Sequence, residues 1–142
     1  MKIKKISYSQ LKEAIRVAFD GDSEIFNLYD PNVSVSSIDE LVNDVYWKIS
    51  EYNDVDLFAV YEKEILIGYF VTSKKQLISF GLSVNYRLGK YVNNFYWMIK
   101  KKLGDDFFVL LWKKNVRAMR WLIKNGMAIT FSQNQIIKLQ CQ

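Results

Sequence analysis

Histidine is absent from the 142 residues, cysteine occurs once, at Cys141, and proline once, at Pro31. Without histidine there is no imidazole base, no Ser/His or Cys/His nucleophilic pair within one chain, and a major zinc ligand is missing. A single cysteine excludes an intrachain disulfide and a cysteine-rich metal site, so no metal is expected. Long apolar runs are lacking too. Nowhere do 18 consecutive apolar residues occur, and the opening "MKIKKISYSQ" is charged, with no apolar stretch of signal-peptide length. The expectation is a soluble chain that has no membrane partner and is not secreted by a signal peptide. Low-complexity tracts, internal repeats and Gly/Ser-rich linkers are missing as well, and 142 residues is close to the commonest domain size. Residues 1–142 therefore read as one domain.

What is present is core material and an uneven charge. Half the residues are apolar and 15% are aromatic. The net charge of +5 divides into −4 over residues 1–84 and +9 over residues 85–142, where Asp105 and Asp106 are the only acids. A strongly basic half favours an anionic partner: a phosphorylated cofactor, nucleic acid or an acidic protein surface.

The periodicities give an element order. "KIKKIS" reads as a short first strand, and from Ser9 "SQLKEAIRVAF" places Leu11, Ile15, Ala18 and Phe19 at helical spacing behind a serine cap. The segment "DGDSEIFNLYDPN" reads as turns. In "SSIDELVNDVYWKISEY", Ser37 and Glu40 have capping-box spacing, with Ile38, Leu41, Val45 and Ile49 on one face. Three apolar runs separated by the polar turns "EKE" and "SKKQ" predict an antiparallel meander over residues 56–84. Val92, Phe95, Tyr96, Ile99 and Leu103 then mark a helix stopped by Gly104. "DFFVLLW" is a buried strand, a last helix runs from about Asn115 to Asn125, and "MAITF" and "QIIKL" are closing strands. The class is α+β with the order β α α β β β α β α β β: a mixed, mostly antiparallel sheet of six to seven strands flanked by about four helices.

That order resembles the GNAT acetyltransferase superfamily across nearly the whole chain. The most specific likeness lies in "NVRAMRWLIKNGMAI", where Asn115, Ala118, Met119, Leu122, Lys124, Gly126 and Met127 fit the family's closing helix and its exit into a strand. The resemblance implies acetyl-CoA in a cleft between the fourth and fifth strands, "QLISFGLS" and "DFFVLLW". It also implies a strand-to-helix loop that offers backbone N–H groups to the diphosphate. Aligned on that loop's Gln/Arg-x-x-Gly-x-Gly/Ala pattern, Arg87 takes the first position. Lys90 and Val92 stand where the two glycines belong, and Gly89 comes one place early. The cofactor-binding set so implied is Leu82, Val84, Arg87, Leu88, Gly89, Lys90, Tyr91, Val92 and Asn115.

Amine acetylation needs a base for the amine and an acid for the departing thiolate. Family members often place an acidic residue on the fourth strand and a tyrosine in the last helix. Here Gln76 to Tyr86 contains no Asp or Glu, and the tyrosine position is Leu122. Residue type alone leaves Tyr91, Tyr96 and Tyr86 as acid candidates and Glu62 and Glu64 as base candidates. A second feature is a cationic stripe, Lys113, Arg117, Arg120 and Lys124 at i, i+4, i+7 and i+11, beside Trp121. Arginines and aromatics supply contact energy at interfaces, which makes the stripe a candidate partner-binding face.

Three readings remain open. The first, favoured on the sequence, is a GNAT-like protein with an eroded acetyl-CoA loop that docks to other proteins of an assembly. It is similar to small internal-virion and head-assembly proteins of short-tailed phages in its loop, its long following helix and its W-x-x-N step from Trp112 to Asn115. The second is an active acetyl-CoA-dependent N-acetyltransferase; the third is a basic nucleic-acid-binding module. The expected location is the cytoplasm or the inside of a virion.

Overall fold

The computed structural model describes residues 1–142. Strand β1 (Lys2–Lys5) leads into helix α1 (Tyr8–Phe19), a one-turn helix α2 (Ile25–Leu28) and helix α3 (Ile38–Ser50). A meander follows: β2 (Asp56–Glu62), β3 (Ile65–Ser73) and β4 (Gln76–Leu82). After a 3-10 turn at Val84–Tyr86 come α4 (Lys90–Leu103), β5 (Phe108–Trp112), α5 (Val116–Lys124), β6 (Met127–Gln133) and β7 (Ile136–Cys141). All seven strands join one sheet in the order β1-β2-β3-β4-β5-β7-β6. No helix is long and apolar enough to cross a membrane.

Two expectations are corrected. The first helix is capped by Ser7 rather than Ser9, because Gln10 reaches back to accept from the Ser7 backbone N–H at 3.1 Å. The stretch read as turns holds α2, a fifth helix, which is anchored by the buried Ile25.

The sheet separates two apolar layers. On one face, Leu11 and Ile15 of α1 and Leu41 and Ile49 of α3 pack against Leu57, Tyr69 and Val71. On the other, Phe95 and Ile99 of α4 and Leu122 of α5 pack against Phe70, Val109 and Leu139. Because β3 is covered on both sides, its residues from Ile67 to Thr72 are all buried, which explains an apolar run that shows no alternation. Gly81 marks the closest approach of α1 to the sheet. A Cβ there would lie 2.8 Å from that of Ala18 and 3.0 Å from Cζ of Phe19.

Every strand pair is antiparallel except β4–β5, which run parallel and pair only through Gln76↔Phe108 and Leu77↔Val109. The cause lies in β4. Across β3, Val71 pairs with Ser79 but Thr72 pairs with Leu77, so Ile78 is an extra, bulged residue. A bulge bends its strand and increases local twist. It falls one residue beyond the last β4–β5 pair, and from there the two strands diverge.

Candidate active site

The divergence opens a cleft of about 600 Å³, within the range of small-molecule sites. Its two long walls are Ile78–Leu82 of β4 and Leu110–Trp112 of β5. At one end stand α4 and α5, with Val92, Phe95, Asn115, Arg120, Trp121 and Lys124. At the other stand the end of α1 and helices α2 and α3, with Phe19, Ile25, Tyr29, Lys48 and Tyr52. The facing edges of β4 and β5 have no strand partner here, so their backbone hydrogen-bonding groups are turned toward the cleft. Most of the lining is apolar, and its charged members are all cations: Lys48, Arg87, Arg117, Arg120 and Lys124. No carboxylate lines it.

The α4 end has the elements of an anion cradle. Gly89 precedes α4 at φ 60°, a left-handed conformation that favours glycine, and a Cβ there would meet nothing within 4 Å. No side chain caps the helix and no acid occupies its first turn, so its N–H groups are unpaired and Lys90 adds an exposed charge. Val92 is half-buried on the cleft wall, and its carbonyl accepts the indole N–H of Trp121 at 3.2 Å.

Arg87 is already bound within the protein. Its Nε donates to the carbonyl of Leu82 (2.6 Å), Nη2 to the carbonyl of Ala18 (2.8 Å) and Nη1 to Asp22 (2.8 Å). Arg117, from the first turn of α5, grips the same carboxylate through both nitrogens at 2.9 and 2.6 Å. Asp22 is buried, with its side chain 3% exposed. Burial raises its pKa, but the hydrogen bonds and charges of Arg117 and Arg87 outweigh this and hold it below the ordinary 3.8. The cluster ties the α1–α2 turn and the end of β4 to α5, across the splay.

At the α2–α3 end, the phenol of Tyr29 donates to Asp44 Oδ2 at 2.6 Å. Lys48 Nζ donates to the same oxygen at 2.5 Å, to Tyr29 at 3.1 Å, and pairs with Asp30 at 2.7 Å. Asp30 is buried and also accepts from the backbone N–H of Asn32 at 2.8 Å; Lys48 and Asn32 together overcome burial and lower its pKa. The Tyr29 phenol is pushed well above the ordinary range by burial, by its bond to Asp44 and by the neighbouring Tyr69 and Asp30. The hydroxyls of Tyr69 and Ser79 lie 2.8 Å apart on the cleft floor. Burial raises the Tyr69 phenol too, offset in part by the bond to Ser79. Both phenols are therefore protonated at neutral pH.

Of the residues expected to bind the cofactor, Leu82, Arg87, Val92 and Asn115 line the cleft. Gly89 and Lys90 sit at the start of α4 outside it, and Leu88 is 81% exposed. Val84 and Tyr91 are half-buried beside the loop, with Tyr91 packed edge-on against Tyr86. The tyrosines offered as acids lie outside the cleft. Tyr96 is buried in the core beside Cys141, and none of Tyr86, Tyr91 and Tyr96 lines the cleft. Glu62 and Glu64 belong to the β2–β3 hairpin, where Glu62 lies 3.6 Å from the N-terminal amine, and neither reaches the cleft.

The cationic stripe is divided by the fold. Arg117, Arg120, Trp121 and Lys124 line the cleft, with Trp121 stacked on Phe95 at 5.6 Å, while Lys113 lies apart and exposed. Asn115 acts as a cap, accepting from the Ala118 N–H at 3.3 Å. No cluster of side chains could hold a metal ion.

No family model matches this chain, and no curated protein matches it in sequence. Solved structures do match, over almost its full length. A probable acetyltransferase of the GNAT family from Chromobacterium violaceum superposes with a TM-score of 0.68 at 11% identity, covering 99% of this chain and 85% of the other. The fold is that of the GNAT acetyltransferases. The PaiA N-acetyltransferase of Thermoplasma acidophilum, in complex with coenzyme A, superposes at 0.64 with 16% identity, covering 99% and 98%. Campylobacter jejuni PseH, in complex with acetyl coenzyme A, does so at 0.57 with 15% identity, covering 99% of both chains. At these identities the GNAT likeness is one of fold. The expected similarity to phage assembly proteins finds no support in these superpositions.

Proposed function

We propose that the chain is an acetyl-CoA-dependent N-acetyltransferase that uses the β4–β5 cleft for both substrates. The observation that carries this reading is the bulge at Ile78. It parts two parallel strands at the centre of the sheet and leaves a cleft with a cationic end and a separate hydroxyl-lined end. Donor and acceptor thereby have distinct approaches. Acetyl-CoA supplies an acetyl group activated toward amines. The unpaired N–H groups of the first turn of α4 and the charge of Lys90 suit its diphosphate, and Arg120 and Lys124 suit a further phosphate. The apolar walls and free strand edges suit its amide-bearing arm. Two of the superposed acetyltransferases hold coenzyme A or acetyl coenzyme A, which supports the choice of donor.

Titration calorimetry with acetyl-CoA, combined with a melting curve, tests the reading. A ligand at a hundred times its Kd stabilises the folded chain by about 2.7 kcal/mol. Saturable heat with a rise in melting temperature is the expected result. No heat and no shift at millimolar acetyl-CoA would sink the proposal.

A further inference from the structure

If the cleft is an acetyl-transfer site, the proton of the acceptor amine must have somewhere to go, and no carboxylate lines the walls. Three carboxylates lie one contact behind the lining: Asp22 on Arg87 and Arg117, Asp30 on Lys48, and Asp44, which alone accepts from a phenol. Tyr29 lines the cleft, and its phenol already points its proton at Asp44 Oδ2, 2.6 Å behind it. Of the other two phenols on the wall, Tyr69 is bonded to Ser79 Oγ and Tyr52 addresses no carboxylate.

We propose that Tyr29 takes the proton from the acceptor amine and Asp44 receives it through Tyr29. When the amine nitrogen bonds to the acetyl carbon and the carbon–sulfur bond breaks, its electron pair leaves on sulfur and one N–H proton must depart. That proton passes to Tyr29 Oη as the phenol's own proton moves onto Asp44 Oδ2. Asp44, whose side chain is 28% exposed, then returns a proton to water, and the thiolate takes one from water. The concerted shift never leaves a phenolate, consistent with burial that strongly disfavours one.

The groups facing Tyr29 are Asp44 and Lys48 from α3, Asp30 from the following turn, and Tyr69 from β3. Lys48 has a positioning role. Its ammonium lies 4.4 Å from the Tyr29 ring centroid and joins Asp44 to the buried Asp30, fixing the carboxylate that Tyr29 addresses.

This inference rests on the transferase reading, and the two fail differently. The test compares wild type, Tyr29→Phe, Asp44→Asn and Asp44→Glu, with benzylamine and hydroxylamine as probe acceptors, and measures acetyl-CoA affinity by calorimetry. General acid–base groups contribute about 10²–10⁴-fold. Tyr29→Phe and Asp44→Asn are each expected to lower kcat for benzylamine roughly 10²-fold, while the rise of rate with pH that comes from benzylamine's own deprotonation persists in every variant. Acetyl-CoA affinity should stay at the wild-type value. Hydroxylamine, neutral at pH 7, should lose less, and Asp44→Glu should recover part of the rate. Should Asp44→Asn fail to fold, Tyr29→Phe alone decides, since it removes one oxygen and keeps the ring. Wild-type kcat in Tyr29→Phe overturns the relay, as does a rate loss matched by an equal loss of acetyl-CoA affinity. Acetyl-CoA binding by wild type with transfer to neither amine overturns the relay and leaves the donor site standing, whereas absence of binding removes both.

Discussion

Replacing Asp22 by Asn removes one negative charge from between two guanidinium groups without changing the size of the side chain. Arg117 loses a two-pronged ion pair at 2.9 and 2.6 Å, and Arg87 loses a partner at 2.8 Å. Breaking a buried pair costs about 3–5 kcal/mol, because the surviving charge stays desolvated without compensation. The Arg117 side chain is 36% exposed and Arg87 22%, so water screens part of the loss and the lower end, about 3 kcal/mol, is expected. For a chain of this length that is a fall in melting temperature of about 10 °C.

The pH dependence follows from the lowered carboxyl pKa of Asp22. A carboxyl lower in the folded than in the unfolded state adds stability that is fully present above the unfolded value, about 3.9, and is lost as pH falls through the folded one. Urea unfolding at pH 7 and at steps down to pH 3 should therefore show a wide gap between wild type and Asp22→Asn at neutral pH that narrows in acid. A difference below about 1 kcal/mol at pH 7 would refute a buried, paired Asp22, and so would a gap that widens in acid.

Gly81→Ala drives a methyl group into Ala18 and Phe19, and should cost about 1–3 kcal/mol as α1 is displaced, read as a lower urea midpoint at an unchanged slope. Lys90→Ala and Arg120→Ala each remove an exposed charge beside the cleft. Calorimetry should show acetyl-CoA weakened about fivefold by each, on the order of 1 kcal/mol, with unfolding midpoints close to wild type.

The strong periodicities made the sheet and the long helices legible. The face Leu41, Val45 and Ile49 and the helical set Phe95, Tyr96, Ile99 and Leu103 predicted α3 and α4 because tertiary packing uses the same faces that the pattern exposes. The start of the last helix at Asn115 was legible because local backbone chemistry fixes a helix terminus, here through the bond from the Ala118 N–H. The hydroxyl-lined end of the cleft was not. Asp22, Tyr29 and Asp30 lie in a stretch whose composition signals turns, and their partners, Arg87, Arg117, Asp44 and Lys48, come from elements distant in sequence. A hydrogen bond across 65 or 95 residues leaves no period to read. The bulge at Ile78 is also invisible, since "QLISFGL" reads as a continuous strand; the register across β3 alone reveals the extra residue. Residue type alone also does not place a side chain: packing directs Tyr96 into the core and stacks Trp121 against Phe95 on the cleft wall.

The two-residue contact between β4 and β5 gives the molecule a mechanical character. Strands β1–β4 form one plate and β5–β7 another, joined edge to edge by a short weld and strapped at the far end by Asp22 and its two arginines. A rigid ligand wedged between the plates would strain the weld, whereas a slender one lying along the seam would complete the missing rungs. Length and flexibility, as much as charge, would then decide what the seam accepts, and a guest that filled it would act as an eighth strand bracing both plates at once.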